Sequence, residues 1–316
     1  MTAPPLDEFL VRHAAGPLMA LDPALVEARR SVTTALEALA AVEDSRLERP
    51  WPWRGEEADV RYGLYRQFEA LEQAGAVARR MIARGNPAEP AARPMIAAAT
   101  AARWDAHGLV AGMADDELDR DPGNGEWTLR QTLAHIVAGQ RGYNWGSAWW
   151  LSRRDAPAED FPKYIPEGVS TGMPDEEEEG KGTLADIRNR LDAVLDQGAM
   201  VFAGVDESQL AVRARWSGIA VDIGFRLGRW SSHIREHTVQ LEKTLAMLGR
   251  PLSEVERVVR LIAGAYGRVE ETLYMWPAEE PSVREATRAI REATAAIAED
   301  AASVLRAARS AGEAAT

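Results

Sequence analysis

Apolar residues recur at helical spacing along nearly all of the 316-residue chain, and no run alternates convincingly as a strand would. Asp22-Pro23 reads as an N-cap followed by a proline in the first turn, opening a helix with an apolar face of Leu25, Val32, Leu36 and Leu39. Arg49–Gly55 breaks it. A second helix is predicted from about Glu56 to Ala83, with Val60, Leu64, Phe68, Leu71, Ala78 and Ile82 on one stripe. Three prolines within Arg84–Pro94 mark a linker or boundary. A third helix follows over about Met95–Met113, and a fourth from a Thr128/Gln131 capping box to about Ser152. The proline-rich stretch 153–182 carries the run Asp175–Glu179, expected to be solvated and mobile, with a lid as the alternative. A fifth helix starts at a Thr183/Asp186 cap and runs to about Ala203 through Leu184, Ile187, Leu191 and Leu195. A sixth spans about Gly218–Leu248. Beyond Gly249-Arg250-Pro251 two more helices open with Ser253/Glu256 and Ser282/Glu285. They carry Val255, Val259, Ile262, Val269 and Leu273, then Ile290, Ile297 and Leu305, on their apolar faces.

Amphipathic helices must bury their stripes against one another, so the pattern predicts an all-α protein. Four helices between about 95 and 248 make a central four-helix bundle. Two helices before and two after form a second helical layer or bundle. The corresponding division is 1–90 as an N-terminal helical pair, 91–250 as the bundle, and 251–316 as a C-terminal pair packing with the first.

Composition narrows the function. With 37 basic and 49 acidic residues the net charge is −12, which argues against nucleic acid and against an anionic membrane surface. No window is apolar enough to span a bilayer, and the N-terminus lacks a signal-peptide pattern, so the expected location is the cytoplasm. There is no cysteine, so any thiol chemistry must take its sulfur from a small molecule. An acidic helical bundle with apolar stripes could also form a homodimer.

The candidate chemistry starts on the sixth helix. Two of the five histidines, His233 and His237, are four residues apart and share a helix face, so they can clamp one ion. A third, His135, lies in the second turn of the fourth helix, within GEWTLRQTLAHI. This element together with WSSHIREHTVQL resembles the DinB-like superfamily over about residues 91–250. That superfamily includes metal-dependent thiol S-transferases and mycothiol-dependent maleylpyruvate isomerases.

The resemblance implies a DinB-like four-helix bundle with a divalent metal held by His135, His233 and His237. Three nitrogen ligands with an open position suit catalysis rather than structure, and fit Zn, Ni or Fe about equally. A thiol bound there would be a nucleophile at neutral pH.

Around this trio, Gly139, Gly142 and Gly146 share the face of His135, leaving either room for a substrate or close helix packing. Arg226 and Trp230 share the face of the paired histidines, Arg226 as a carboxylate partner or an internal ion pair. Tyr143 is a candidate hydrogen-bond donor, and most tryptophans of this half are read as core. Glu236 points off the histidine face. His13 and His107 have no partners at metal spacing.

The expectation is a metal-dependent transferase or isomerase joining a low-molecular-weight thiol to an electrophilic small molecule. A non-catalytic, stress-associated metal- or ligand-binding bundle is the alternative. An iron-dependent sulfoxide synthase ranks below both, since no accompanying catalytic domain is visible. No residue is assigned a catalytic role beyond metal ligation.

Overall fold

The computed structural model describes residues 6–12, 21–157, 160–168, 170 and 172–310. The all-α expectation holds, with one small exception. The helices are α1 (Leu6–Arg12), α2 (Pro23–Ala40), α3 (Val60–Gly85), α4 (Arg93–Val110), α5 (Leu129–Leu151), α6 (Glu176–Glu179), α7 (Leu184–Phe202), α8 (Glu207–Leu210), α9 (Ile223–Met247), α10 (Glu254–Leu273) and α11 (Pro281–Arg309). The exception is an antiparallel hairpin, β1 (Arg213–Trp216) paired with β2 (Ile219–Asp222). Ser217 and Gly218 both take positive φ between the strands, as a two-residue primed turn requires. Sequence reading assigned part of this segment to the sixth helix. That helix instead begins at Ile223, where the Asp222 side chain accepts from the Phe225 amide.

Helices α4, α9, α5 and α7 contact one another in a closed ring, and α2, α11, α3 and α10 form a second ring. The two rings join where α4 packs along α10. Gly108 and Gly267 allow this close approach: a Cβ on Gly108 would meet the Arg260 backbone at 2.9 Å, and one on Gly267 the Trp104 side chain at 2.9 Å. Shared by both rings, α4 is buried on nearly all sides, from Ile96 and Ala97 through Trp104 to Val110. Burial on nearly all sides is what a central position demands, and the polar residues that α4 buries, Thr100, Arg103 and His107, are paired there.

Capping explains most helix starts. Thr128/Gln131, Thr183/Asp186 and Ser253/Glu256 each form the reciprocal capping box. The box expected at Ser282/Glu285 does not form, because α11 opens two residues earlier, on Pro281 behind Glu280. Proline in the first turn sets φ for the helix without needing a side-chain cap.

Candidate metal centre

Helices α5 and α9 run antiparallel with a constant register. His135 faces His237 with ring centroids 4.5 Å apart, Gly139 faces His233, Tyr143 faces Arg229, and Gly146 faces Arg226. Each step of three or four residues up α5 thus meets the same step down α9. This register gathers the three histidines at one end of the seam. The His233–His237 centroids are also 4.5 Å apart, and one ligand nitrogen from each of the three rings lies within 4.8 Å of the others.

The outer nitrogens are held. His135 Nδ1 is 2.7 Å from Glu176 Oε1, and His237 Nδ1 is 2.8 Å from Gln240 Oε1. An oxygen acceptor at Nδ1 places the proton of a neutral imidazole there and leaves the Nε2 lone pair free. His135 Nε2 and His233 Nε2 face each other at 3.4 Å. Two nitrogens bonded at about 2.0–2.1 Å to a tetrahedral ion are separated by roughly 3.3 Å, so the observed spacing suits a shared ion. His233 is buried, and burial together with the neighbouring His237 and His135 lowers its pKa to about 3. His237 is lowered as well, first by burial. The pair is therefore neutral near pH 7, the form that binds metal. The donor set and its geometry fit a divalent ion.

Aromatic rings close the surroundings. Trp127 lies 5.0 Å from His135 and stacks over His237 at 6.4 Å and 17°. Tyr143 meets His233 edge-on at 5.4 Å.

The glycines divide. A Cβ on Gly139 would overlap the His233 ring, and one on Gly146 would overlap Arg226, so these two accommodate side chains of α9. A Cβ on Gly142 would meet nothing within 4 Å, which leaves open space between those two contacts.

Arg226 is buried, and among the described residues no carboxylate pairs with it. Nε donates to Ser147 Oγ at 3.2 Å and Nη1 to the Arg215 carbonyl at 2.7 Å. Trp230 is the correction. It shares the sequence stripe with the histidines, yet it is fully buried and turns onto Gly198 and Phe202 of α7. Trp230 and His233 are three residues apart, about 60° around the helix, which lets them face different neighbours. Trp145, Trp149 and Trp150 are core, while Trp127 and Trp216 remain half-buried.

The acidic run is solvated from Asp175 to Glu178, as expected, but it is also anchored. Asp175 caps α6, Glu176 reaches His135, and Glu179 is buried against Arg141. Nothing local in sequence marks Glu176, because the contact spans 41 residues. Gln240, by contrast, stands one turn beyond His237 on the same helix, where spacing alone brings the two side chains together. Glu236 makes a surface ion pair with Arg229 at 2.9 Å. His107 is buried and 2.8 Å from Asp192, far from the trio in function; His13 lies outside the described residues.

A separate open cleft of about 690 Å³ lies between α3, the start of α4 and α10, lined in part by Arg79, Arg93, Arg268 and Trp276. Two of its arginines are committed. Arg93 donates to the Tyr274, Glu271 and Thr272 carbonyls, and Arg268 pairs with Glu72. The titratable cluster with the spacing of an ion site is the histidine trio.

Fold and site together define a helical-bundle protein with a three-histidine group able to hold a metal ion. Residues 98–241 match the model of the DinB superfamily, so this part of the chain is similar to that superfamily. The match takes in all three histidines. No curated protein and no solved structure matches the chain. Among the described residues no helix is long and apolar enough to cross a membrane.

Proposed function

We propose that the protein is a divalent-metal-dependent transferase or isomerase that joins a low-molecular-weight thiol to an electrophilic small molecule. The observation that carries this reading is the convergence of His135, His233 and His237, with the Nδ1 atoms of two of them held by Glu176 and Gln240. A bound Zn, Ni or Fe(II) would supply Lewis acidity that lowers the pKa of a thiol, making thiolate the nucleophile at neutral pH.

The chain's own groups do the rest. Imidazole ligands bring no charge to a bound ion, so the cationic character of a loaded site is retained for an anionic sulfur. Glu176 and Gln240 fix ring orientation. Trp127 and Tyr143 exclude water from two sides of the histidines. Open space at Gly142 gives a second reactant a place beside His233. The absence of cysteine from the chain leaves the nucleophilic sulfur to a co-substrate.

Metal analysis of the purified protein beside a His135→Ala/His233→Ala/His237→Ala variant tests this. About one equivalent of transition metal in the parent, none in the variant, and loss of a low-molecular-weight thiol on incubation with electrophiles only by the loaded parent are expected. Metal bound without any thiol consumption across a panel of electrophiles would leave a non-catalytic metal-binding bundle. An unchanged metal content in the variant would remove the site altogether.

A further inference from the structure

A buried cation without an anion beside it is costly, because burial removes the water that stabilises it. Arg226 is such a cation: it is 6% exposed, and among the described residues no carboxylate lies within ion-pair distance. Burial lowers its pKa to about 10. Its neighbours use only one side of the guanidinium. Nε is taken by Ser147 and one hydrogen of Nη1 by the Arg215 carbonyl. Among the described residues Nη2 makes no hydrogen bond, and it lies over Gly146, beside Ile165. The edge formed by Nη1 and Nη2 thus keeps one free hydrogen on Nη1 and both on Nη2, the pair of donors that a carboxylate accepts.

The surroundings are basic in a chain of net charge −12. Arg213 and Arg215 pack near the Phe161 ring, and Lys163 lies near the Tyr164 ring and beside the hairpin turn at Gly218. None of the three has a carboxylate partner among the described residues. Arg229 is different, since Glu236 already neutralises it. The free guanidinium edge that faces inward, that of Arg226, matches the two oxygens of a carboxylate.

Resting on the metal reading above, we propose that Arg226 is the seat for a carboxylate on a small-molecule substrate of the histidine site. Seven residues of helix separate Arg226 from His233, so the seat lies about 10 Å along α9 from the histidines. The open space at Gly142 lies between them. The substrate is therefore a carboxylate whose reactive atom sits several bonds away, carried either on the thiol or on the electrophile.

Calorimetric titration at pH 7 tests this with benzoate and its neutral twin benzamide, on metal-free and zinc-loaded protein. The parent is expected to bind benzoate at least tenfold more tightly than benzamide, and Arg226→Met to lose that preference while keeping the parent's zinc stoichiometry. Should Arg226→Met fail to fold, Arg226→Lys carries the test: it keeps the charge but loses the planar pair of donors, so the preference falls. Undiminished benzoate binding by the folded variant, or a parent indifferent to the charge, overturns the seat.

Zinc binding with benzoate indifferent to Arg226 sinks the seat and spares the metal reading. Benzoate held through Arg226 in a protein that binds no zinc does the reverse. On zinc-loaded protein, 6-mercaptohexanoate against 6-mercaptohexanol assigns the source. A loss confined to the acid in Arg226→Met places the carboxylate on the thiol. A loss for benzoate alone places it on the electrophile.

Discussion

Single side chains in the α5–α9 seam have separable jobs, and substitutions can tell them apart. Glu176 is more than half exposed but holds His135 Nδ1, so it acts through that ring. Glu176→Gln should leave the melting temperature unchanged and weaken zinc binding roughly 10–100-fold, as expected for a lost outer-sphere partner. Competition with a chromophoric chelator measures this, and unchanged affinity would show that the contact does not orient the ring. Gly139 and Gly142 make a sharper pair. Gly139→Ala pushes a methyl into the His233 ring and should lower zinc content. Gly142→Ala meets open space and should stabilise α5 by up to about 1 kcal/mol, the usual gain of alanine over glycine in a helix. Thermal melts of the two variants side by side decide whether the seam is built as described.

At the scale of the elements, local chemistry was the readable part. Caps at Asp22, Thr128, Thr183 and Ser253 are short-range hydrogen bonds between residues two or three apart, so sequence spacing reveals them. The apolar stripes of α2, α7 and α10 were equally plain, because burial follows a 3.6-residue period. Ser282/Glu285 shows the limit. It has the spacing of a cap but sits inside α11, and only the packing that draws Pro281 into the helix decides this. Thr183→Ala should therefore cost about 1 kcal/mol, while Ser282→Ala should cost nothing measurable. Equal losses in chemical denaturation would contradict that assignment. The hairpin escaped notice because the alternation of Arg213-Ala214-Arg215-Trp216 lasts only four residues and buries only Ala214, too short to stand out beside the helical period that follows. The histidines were legible one by one, as was their pairing on α9. Glu176, Tyr143 beside Arg229, and the turning of Trp230 onto α7 depend on contacts between distant helices.

Across the whole molecule, the least legible feature is the polar knot where the two rings meet. Arg29 of α2 pairs with Asp196 of α7 at 2.6 Å and with Glu270 of α10 at 2.9 Å. From α4, Arg103 also pairs with Glu270, Thr100 donates to it at 2.6 Å, and Trp104 Nε1 donates at 3.1 Å. His107 meets Asp192 at 2.8 Å, and the Tyr274 hydroxyl donates to Asp196 at 2.6 Å. In sequence these are scattered charges on separate helices, with no spacing to connect them.

The knot makes stability depend on acid in a definite direction. Burial by itself would raise the Glu270 pKa, but Arg29 and Arg103 outweigh it and hold the group at about 2, against an ordinary 4.5. Above pH 4.5 folded and unfolded chains are both ionised at this position and the stabilisation is complete. As pH falls from 4.5 toward 2, the unfolded chain takes up a proton that the folded one refuses, and on the order of 3 kcal/mol is lost. Asp192 is also lowered and acts with the same sign. His107 is lowered by burial from 6.5, so it erodes stability as pH falls below that value, again because only the unfolded chain accepts the proton.

Melts of metal-free protein from pH 7 to 3 should therefore fall continuously, steepening below about 4.5. Glu270→Gln should lose stability at pH 7, by about 3 kcal/mol if two buried arginines are left short of charge, and should flatten the steep arm. A parent curve that stays level to pH 3 would mean that the carboxylates at the junction are not held ionised by the arginines. The α4–α10 contact would then rest on apolar packing around Trp104 and its glycines alone.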